Sequence, residues 1–260
     1  MTEAVAMTLQ DMIEAAKARA LIRSSDTRPY KCSLCRDTGW VSHRTEDGIS
    51  WSSECDCQKR LKSERLIARS GLARAIREQT FDAFKVETDL QRKLRKTAGQ
   101  YARAVIDGGK PWLYIGGNPG SGKTHICTAV CGKLLEHNIG VRYMQWIDEA
   151  RRLKAYVSDP DFDNLVADFM DCDVLYIDDL FKSRYGDFQP SDADIRIAFT
   201  ILNARYIRDL PTIITSEWDL MDDLLMADEG LFSRVYEKTK GYEIYVPRDM
   251  KNNYRLRGGR

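Results

Sequence analysis

Three groups of residues in this 260-residue chain have the types and spacing to do chemistry. The first is Gly117-Asn118-Pro119-Gly120-Ser121-Gly122-Lys123-Thr124, which fits G-x-x-x-x-G-K-[ST] in full. Its glycines let the backbone curl so that successive N–H groups point inward at phosphate oxygens. A helix beginning there adds the positive end of its dipole. Lys123 can reach the β- and γ-phosphates of ATP, and the Thr124 hydroxyl can ligate Mg²⁺. The second group closes Val174-Leu175-Tyr176-Ile177-Asp178-Asp179. Asp178 emerges at the C-terminal edge of an apolar run, where ligands bind in open α/β sheets, and can hold the Mg²⁺ directly or through water. Asp179 is placed to polarise an attacking water. Thr215-Ser216-Glu217 ends a further apolar run, and Thr215 could orient that water. The third group is Cys32-x-x-Cys35 followed, after a short insert, by Cys55-x-Cys57. Each pair can present two thiolates from a tight turn, and four suit tetrahedral zinc. The second pair has one spacer residue where two are more usual, and His43 is a substitute ligand. Free thiols or a redox pair are the alternative reading.

These residues need elements to position them. Trp112–Ile115 reads as a short buried strand before the glycines, and residues 125–137 as the helix after them. Val141–Met144, Val174–Ile177 and Pro211–Thr215 read as further strands. Helical patterns fall at 89–107, 148–157, 161–170 and 192–207. The strand at 174–177 shows no polar alternation, as expected of a sheet buried on both faces. Strand–helix alternation at this spacing predicts a parallel α/β sheet. Before it, residues 8–23 carry Leu9, Met12, Ile13, Ala16 and Ala20 at helical spacing. Residues 30–57 are turn-rich with short β-like pieces, and 58–79 are helical again. The expected division is 1–80, a small helical and zinc-binding region, and 81–260, the α/β domain. Cys127, Cys131 and Cys172 lie on apolar faces and read as core residues.

Composition narrows the classes. Lys and Arg total 40 against 39 Asp and Glu, and 43% of residues are hydrophobic. That excludes a disordered chain, a fibrous repeat and a disulfide miniprotein. No run of about 18 apolar residues is present, so no membrane partner is expected. The N-terminal stretch carries acids early and lacks a compact apolar core, unlike a secretory signal. A cytosolic protein with reduced cysteines is the expectation. Charge is uneven along the chain. Residues 161–230 hold 17 acids and five bases, whereas 231–260 hold eight bases and three acids. A basic tail after an acidic body could meet nucleic acid or a neighbouring subunit's acidic face, or simply be solvated.

Taken together, the motifs resemble the DnaC/DnaI family of replicative helicase loaders, especially phage and prophage members. Cys32-Ser33-Leu34-Cys35-Arg36-Asp37-Thr38-Gly39-Trp40 with Cys55 and Cys57 is similar to the family's zinc segment. Phe81-Asp82-Ala83-Phe84 resembles its short aromatic motif, and Gly117–Thr124 and Asp178-Asp179-Leu180 its nucleotide motifs. Ile201–Tyr206 followed by Pro211–Ser216 is similar to the helix and sensor strand. The resemblance implies an AAA+ P-loop ATPase that self-associates through its ATP site. It would load a hexameric replicative helicase onto DNA and touch single-stranded DNA weakly, without base specificity. The same resemblance implies that Arg234, in Leu231-Phe232-Ser233-Arg234-Val235, is an arginine finger reaching a neighbour's site. It likewise places Arg255 near the phosphates. The sequence departs from the pattern at Glu217, where such strands often end in Asn. The 26 residues after Arg234 are too few for a full helical lid. Arg205 could face a neighbour or cap its helix. Rival readings are an IstB-type transposition helper, a small-molecule P-loop kinase and a nucleotide-gated adaptor with incidental turnover.

Overall fold

The computed structural model describes residues 30–45, 47–69, 72–182 and 189–254. The helix expected over 8–23 and Arg255 lie outside these residues. The chain forms two compact units, divided in sequence between Cys55 and Asp56. In the first, β1 (Trp40–Arg44) and β2 (Ser50–Glu54) make an antiparallel hairpin with His43 opposite Trp51. His43 and Trp51 stack with ring centroids 4.0 Å apart.

The second unit begins with α1 (Asp56–Arg69) and α2 (Leu72–Glu78). Then α3 (Asp89–Ile106) starts at a capping box made by Thr88 and Gln91, which satisfies two otherwise orphaned backbone donors. There follow β3 (Trp112–Gly117), α4 (Lys123–Glu136), β4 (Val141–Gln145), α5 (Trp146–Lys154), α6 (Phe162–Asp171) and β5 (Val174–Leu180). After α7 (Asp192–Ile207) and β6 (Thr212–Ser216) come a short helical run over 220–227, α8 (Glu229–Lys238) and β7 (Glu243–Val246). Ser191 and Asp194 form a second capping box at the start of α7.

The five strands lie side by side in the order β4-β5-β6-β3-β7, and every pairing is parallel. Successive side chains of a strand point to opposite faces, and both faces here are apolar. Leu113, Ile115, Tyr143, Val174, Tyr176 and Ile213 join one core with residues of α3 and α4. Trp112, Tyr114, Met144, Leu175, Ile177 and Ile214 join the other with residues of α5, α6, α7 and α8. This is why no polar alternation is visible over 174–177. No helix among the described residues is long and apolar enough to cross a membrane.

Arg205 neither faces outward nor caps its helix. It is fully buried. Its guanidinium donates to the carbonyls of Phe169, Met170, Cys172, Asp173 and Pro211 and to the Thr212 hydroxyl. These bonds tie the end of α6 and the start of β6 to α7. Cys172, only half-buried, also lies on this guanidinium at 3.3 Å. Replacing Arg205 by leucine leaves several buried carbonyls without a donor, each costing about 1–3 kcal/mol. The expected outcome is a loss of at least about 3 kcal/mol in urea denaturation. A midpoint within error of wild type would contradict this account of the arginine.

Candidate nucleotide site and cysteine cluster

The phosphate loop runs from the end of β3 to the start of α4, and its backbone requires its glycines. Gly117, Gly120 and Gly122 take φ of +100°, +73° and +91°, a region side chains rarely adopt. A Cβ on Gly117 would collide with the Val246 carbonyl oxygen, and one on Gly120 with the Asn253 side chain. The loop is thus lined by its own C-terminal segment. Asn118 donates to the Asp249 carbonyl at 3.0 Å, and the Tyr254 amide donates to the Gly120 carbonyl at 2.9 Å. Phe84, of the Phe81–Phe84 motif, packs on Gly122 and edge-on to His125. His125 in turn contacts the Thr80 carbonyl through Nε2 at 3.0 Å.

Lys123 is buried, and its ammonium donates to the carbonyls of Gly117 at 2.8 Å and Asn118 at 2.9 Å. Burial pushes this ammonium below the ordinary lysine value, and Asp179, Glu217 and Asp178 work against that shift. Thr124 Oγ1 donates to Asp178 Oδ1 at 3.1 Å. The phosphate loop and the acidic pair therefore meet, although β6 lies between their strands.

That intervening strand completes the site. β5 runs to Leu180, three residues beyond the apolar run, and its pairing with β6 shifts between Ile177 and Leu180. A bulge of this kind re-aims side chains. Here Asp178 and Asp179 both fall opposite the single residue Thr215. The Thr215 hydroxyl donates to Asp178 Oδ1 at 2.7 Å and accepts from the Asp179 amide at 2.9 Å. Asp179 and Phe181 adopt φ of +58° and +62°, strain of the kind that clusters at functional sites.

The Asp178 carboxylate, only 7% exposed, accepts two more hydroxyls. Tyr176 reaches Oδ1 at 2.7 Å and Tyr143 reaches Oδ2 at 3.1 Å. Burial pushes both phenols well up, so they remain protonated donors. Asp179 pairs with Lys182 at 2.9 Å, and Lys182 also reaches Glu217 at 2.8 Å. Burial works to lower the Lys182 ammonium, but Glu217 and Asp179 outweigh it and hold it above its ordinary value. Sequence reasoning missed Tyr143, Tyr176 and Lys182. Tyr176 had a signal, since it stands two residues before Asp178 on the same strand face.

The residues fit a magnesium-bound nucleoside triphosphate. Thr124 and Asp178 offer hard oxygen donors of the kind Mg²⁺ takes. The Ser121 hydroxyl is 2% exposed and meets no partner among the described residues, an unsatisfied group that a phosphate oxygen would satisfy. Arg234 lies elsewhere within one chain. Its guanidinium donates to Asn203 Oδ1 and the Gly230 carbonyl, both at 2.7 Å, and covers the Phe199 ring at 4.9 Å.

In the cysteine cluster the Sγ atoms of Cys32, Cys35, Cys55 and Cys57 all lie within 4.8 Å of one another. Cys32 and Cys55 are 3.7 Å apart. Tetrahedral zinc with Zn–S near 2.3 Å requires sulfur separations of roughly 3.8 Å, so four thiolates here could hold a metal ion. The Asp37 carboxylate accepts the amides of Lys31 and Cys32 and shapes the first turn. Hydrogen bonding from Cys35, its amide foremost, lowers the Cys32 thiol to about 7. His43 stands apart from the four sulfurs, its Nε2 hydrogen-bonded to Ser53 Oγ at 2.8 Å. Burial pushes the thiols of Cys127 and Cys131 up and keeps them as neutral core residues.

A phosphate loop joining a parallel strand to a helix, with an acidic pair two strands away and a threonine between, defines a P-loop protein of AAA+ fold. The chain belongs to the family of IstB-like ATP binding proteins, whose model matches residues 54–239. It is similar to the phage-like element PBSX protein XkdC of Bacillus subtilis (strain 168). The two are 30% identical over 247 residues, covering 91% of this chain and 90% of that one. It is also similar to the replicative helicase loader DnaC of Buchnera aphidicola subsp. Acyrthosiphon pisum (strain APS). That identity is 29% over 155 residues, covering 54% of this chain and 63% of the relative. Among solved structures, the crystal structure of the DnaC helicase loader superposes with a TM-score of 0.56 at 21% identity. It covers 65% of this chain and 96% of that one. The resemblance to DnaC-type loaders and the expected AAA+ fold are both borne out.

Gly117→Ala places a methyl against the Val246 carbonyl in a strained conformation. It is expected to lower stability by more than about 1 kcal/mol in urea denaturation. Gly99→Ala, inside α3 with open space around it, is the control and should stabilise slightly. Equal midpoints for the two variants would refute the stated role of the loop.

Proposed function

We propose that this chain loads a ring-shaped replicative DNA helicase onto DNA, hydrolysing Mg-ATP in an oligomeric assembly. The observation that carries this reading is the convergence of Thr124, Asp178 and Thr215 in one hydrogen-bonded set beside Lys123, in a chain similar over about half its length to helicase loaders. Mg²⁺, when bound, would supply charge neutralisation to the phosphates. Lys123 exchanges its loop carbonyls for phosphate oxygens, and the amides and the Ser121 hydroxyl cradle them. Asp178 and Thr124 would hold the metal, Asp179 would polarise the attacking water, and Thr215, which accepts from the Asp179 amide, would orient that water. Catalysis of this type is positioning and charge stabilisation. Arg255, which follows the strap formed by Asp249–Tyr254, is assigned to the phosphates.

Arg234 is assigned as the finger supplied to a neighbouring chain. Its partners within the chain lie on α7 and α8 and not among the residues around Lys123 and Asp178. Hydrolysis would then depend on assembly. Residues 1–80, with zinc held by Cys32, Cys35, Cys55 and Cys57, form the proposed helicase-binding region, and 81–260 the ATPase. Single-stranded DNA is a weak, salt-sensitive partner.

Titration calorimetry of the full chain with Mg-ATP is expected to give binding that Lys123→Ala removes. Arg234→Ala should keep that binding and lose about 10³-fold or more of the turnover stimulated by helicase and single-stranded DNA. Unchanged stimulated turnover would remove Arg234 from this role. Metal analysis is expected to return about one zinc per chain, lost in Cys55→Ser and Cys57→Ser. A zinc-free, folded wild-type protein would exclude the metal.

The matched family model bears the IstB name, which favours a second reading as a transposition helper. Light scattering of the chain mixed with a hexameric helicase, with and without ATP, separates the two. An ATP-dependent complex supports the loader. Its absence, together with stimulation of a transposase, supports the helper.

A further inference from the structure

The two phenols on Asp178 do more than a buried strand needs. Tyr143 and Tyr176 stand opposite each other in the β4–β5 register, their rings 5.3 Å apart. By strand periodicity Tyr176, Asp178 and Thr215 share the sheet face that α4 covers. Aromatic or aliphatic residues without a hydroxyl would fill the same volume. A buried phenol brings the obligation to find an acceptor, and both phenols find the same one. They also divide its oxygens. Among the described residues, Oδ1 accepts from Thr124, Thr215 and Tyr176, whereas Oδ2 accepts from Tyr143 alone. A carboxylate has about four lone-pair sites in all. Oδ1 is therefore saturated and Oδ2 keeps the spare capacity. The plane of the carboxylate is fixed from both ends, by donors on three adjacent strands and one helix.

We infer that Tyr143 and Tyr176 are positioning residues that orient the Asp178 carboxylate so that Oδ2 faces the magnesium ion or a water it carries. This rests on the reading of Asp178 as the Mg²⁺ ligand. Partners that orient a metal ligand from behind typically change metal affinity 10- to 100-fold when removed. If the phenols merely satisfied themselves in the core, their loss would alter stability and leave metal affinity alone.

The test uses the full chain with ADP and titrates Mg²⁺, following nucleotide binding by calorimetry, with Mn²⁺ as a spectroscopic probe of bound metal. Tyr143→Phe and Tyr176→Phe are each expected to raise the Mg²⁺ midpoint about 10-fold, and to weaken Mn²⁺ binding in parallel. Nucleotide affinity in excess chelator and cooperative thermal unfolding are expected to survive. Midpoints within twofold of wild type in both variants, whatever their melting temperatures, would overturn the inference. Should one variant fail to fold, the other carries the test, since the two hydroxyls reach different oxygens. If the wild-type chain binds ADP with no Mg²⁺ dependence, or Asp178→Asn keeps the wild-type midpoint, the underlying assignment of Asp178 fails and the inference goes with it.

Discussion

A carboxylate sunk into the end of a buried sheet is tolerated only if it is hydrogen-bonded, and Asp178 imposes that condition on most of the domain. Its donors come from α4, β4, β5 and β6. Each of those elements has to arrive in one register, because a slip of a single residue would send its side chain to the opposite face. The order of strands then follows a chemical demand. β6 sits between the strand that carries the phosphate loop and the strand that carries the acids. Its penultimate residue, Thr215, links the two aspartates, and the bulge in β5 lets consecutive residues share that one partner.

The small unit answers to a different constraint. Tyr30, Leu34, Trp40, Ile49 and Trp51 are all more than half exposed, so the hairpin buries little of its own apolar surface. A described stretch that buries so little apolar surface gains from a cross-link. Four convergent thiols supply the means, since metal binding and folding would then be one event. The larger unit needs no such device, having two apolar cores and the Arg205 guanidinium stitching three elements together.

Much of this was legible in the residues. The phosphate loop declares itself because its glycines, lysine and threonine must stand in a fixed order along the chain. The cores of β3 and β5, Trp112–Ile115 and Val174–Ile177, announce themselves because burial on both faces leaves an unbroken apolar run. The α7 helix was readable to the residue over 192–207, and the structure adds the Ser191 cap at its start. What escaped was chemistry made by register. Tyr143 reads as an ordinary strand residue until β4 lies beside β5. Lys182 reads as a surface base until the bulge turns Asp179 towards it. Arg205 reads as facing a neighbour or capping its helix, because nothing in the sequence reports that the end of α6 leaves carbonyls needing a donor. β7 was also unread, being four residues long with alternating exposure at the sheet edge.

The clasp between Tyr254 and Gly120 has a practical side. Whatever follows Tyr254 in the chain starts from a backbone hydrogen bond to the phosphate loop. The next six residues reach no further than roughly 20 Å. An affinity tag or fluorescent fusion placed there would be leashed to the nucleotide loop and would crowd whatever approaches it.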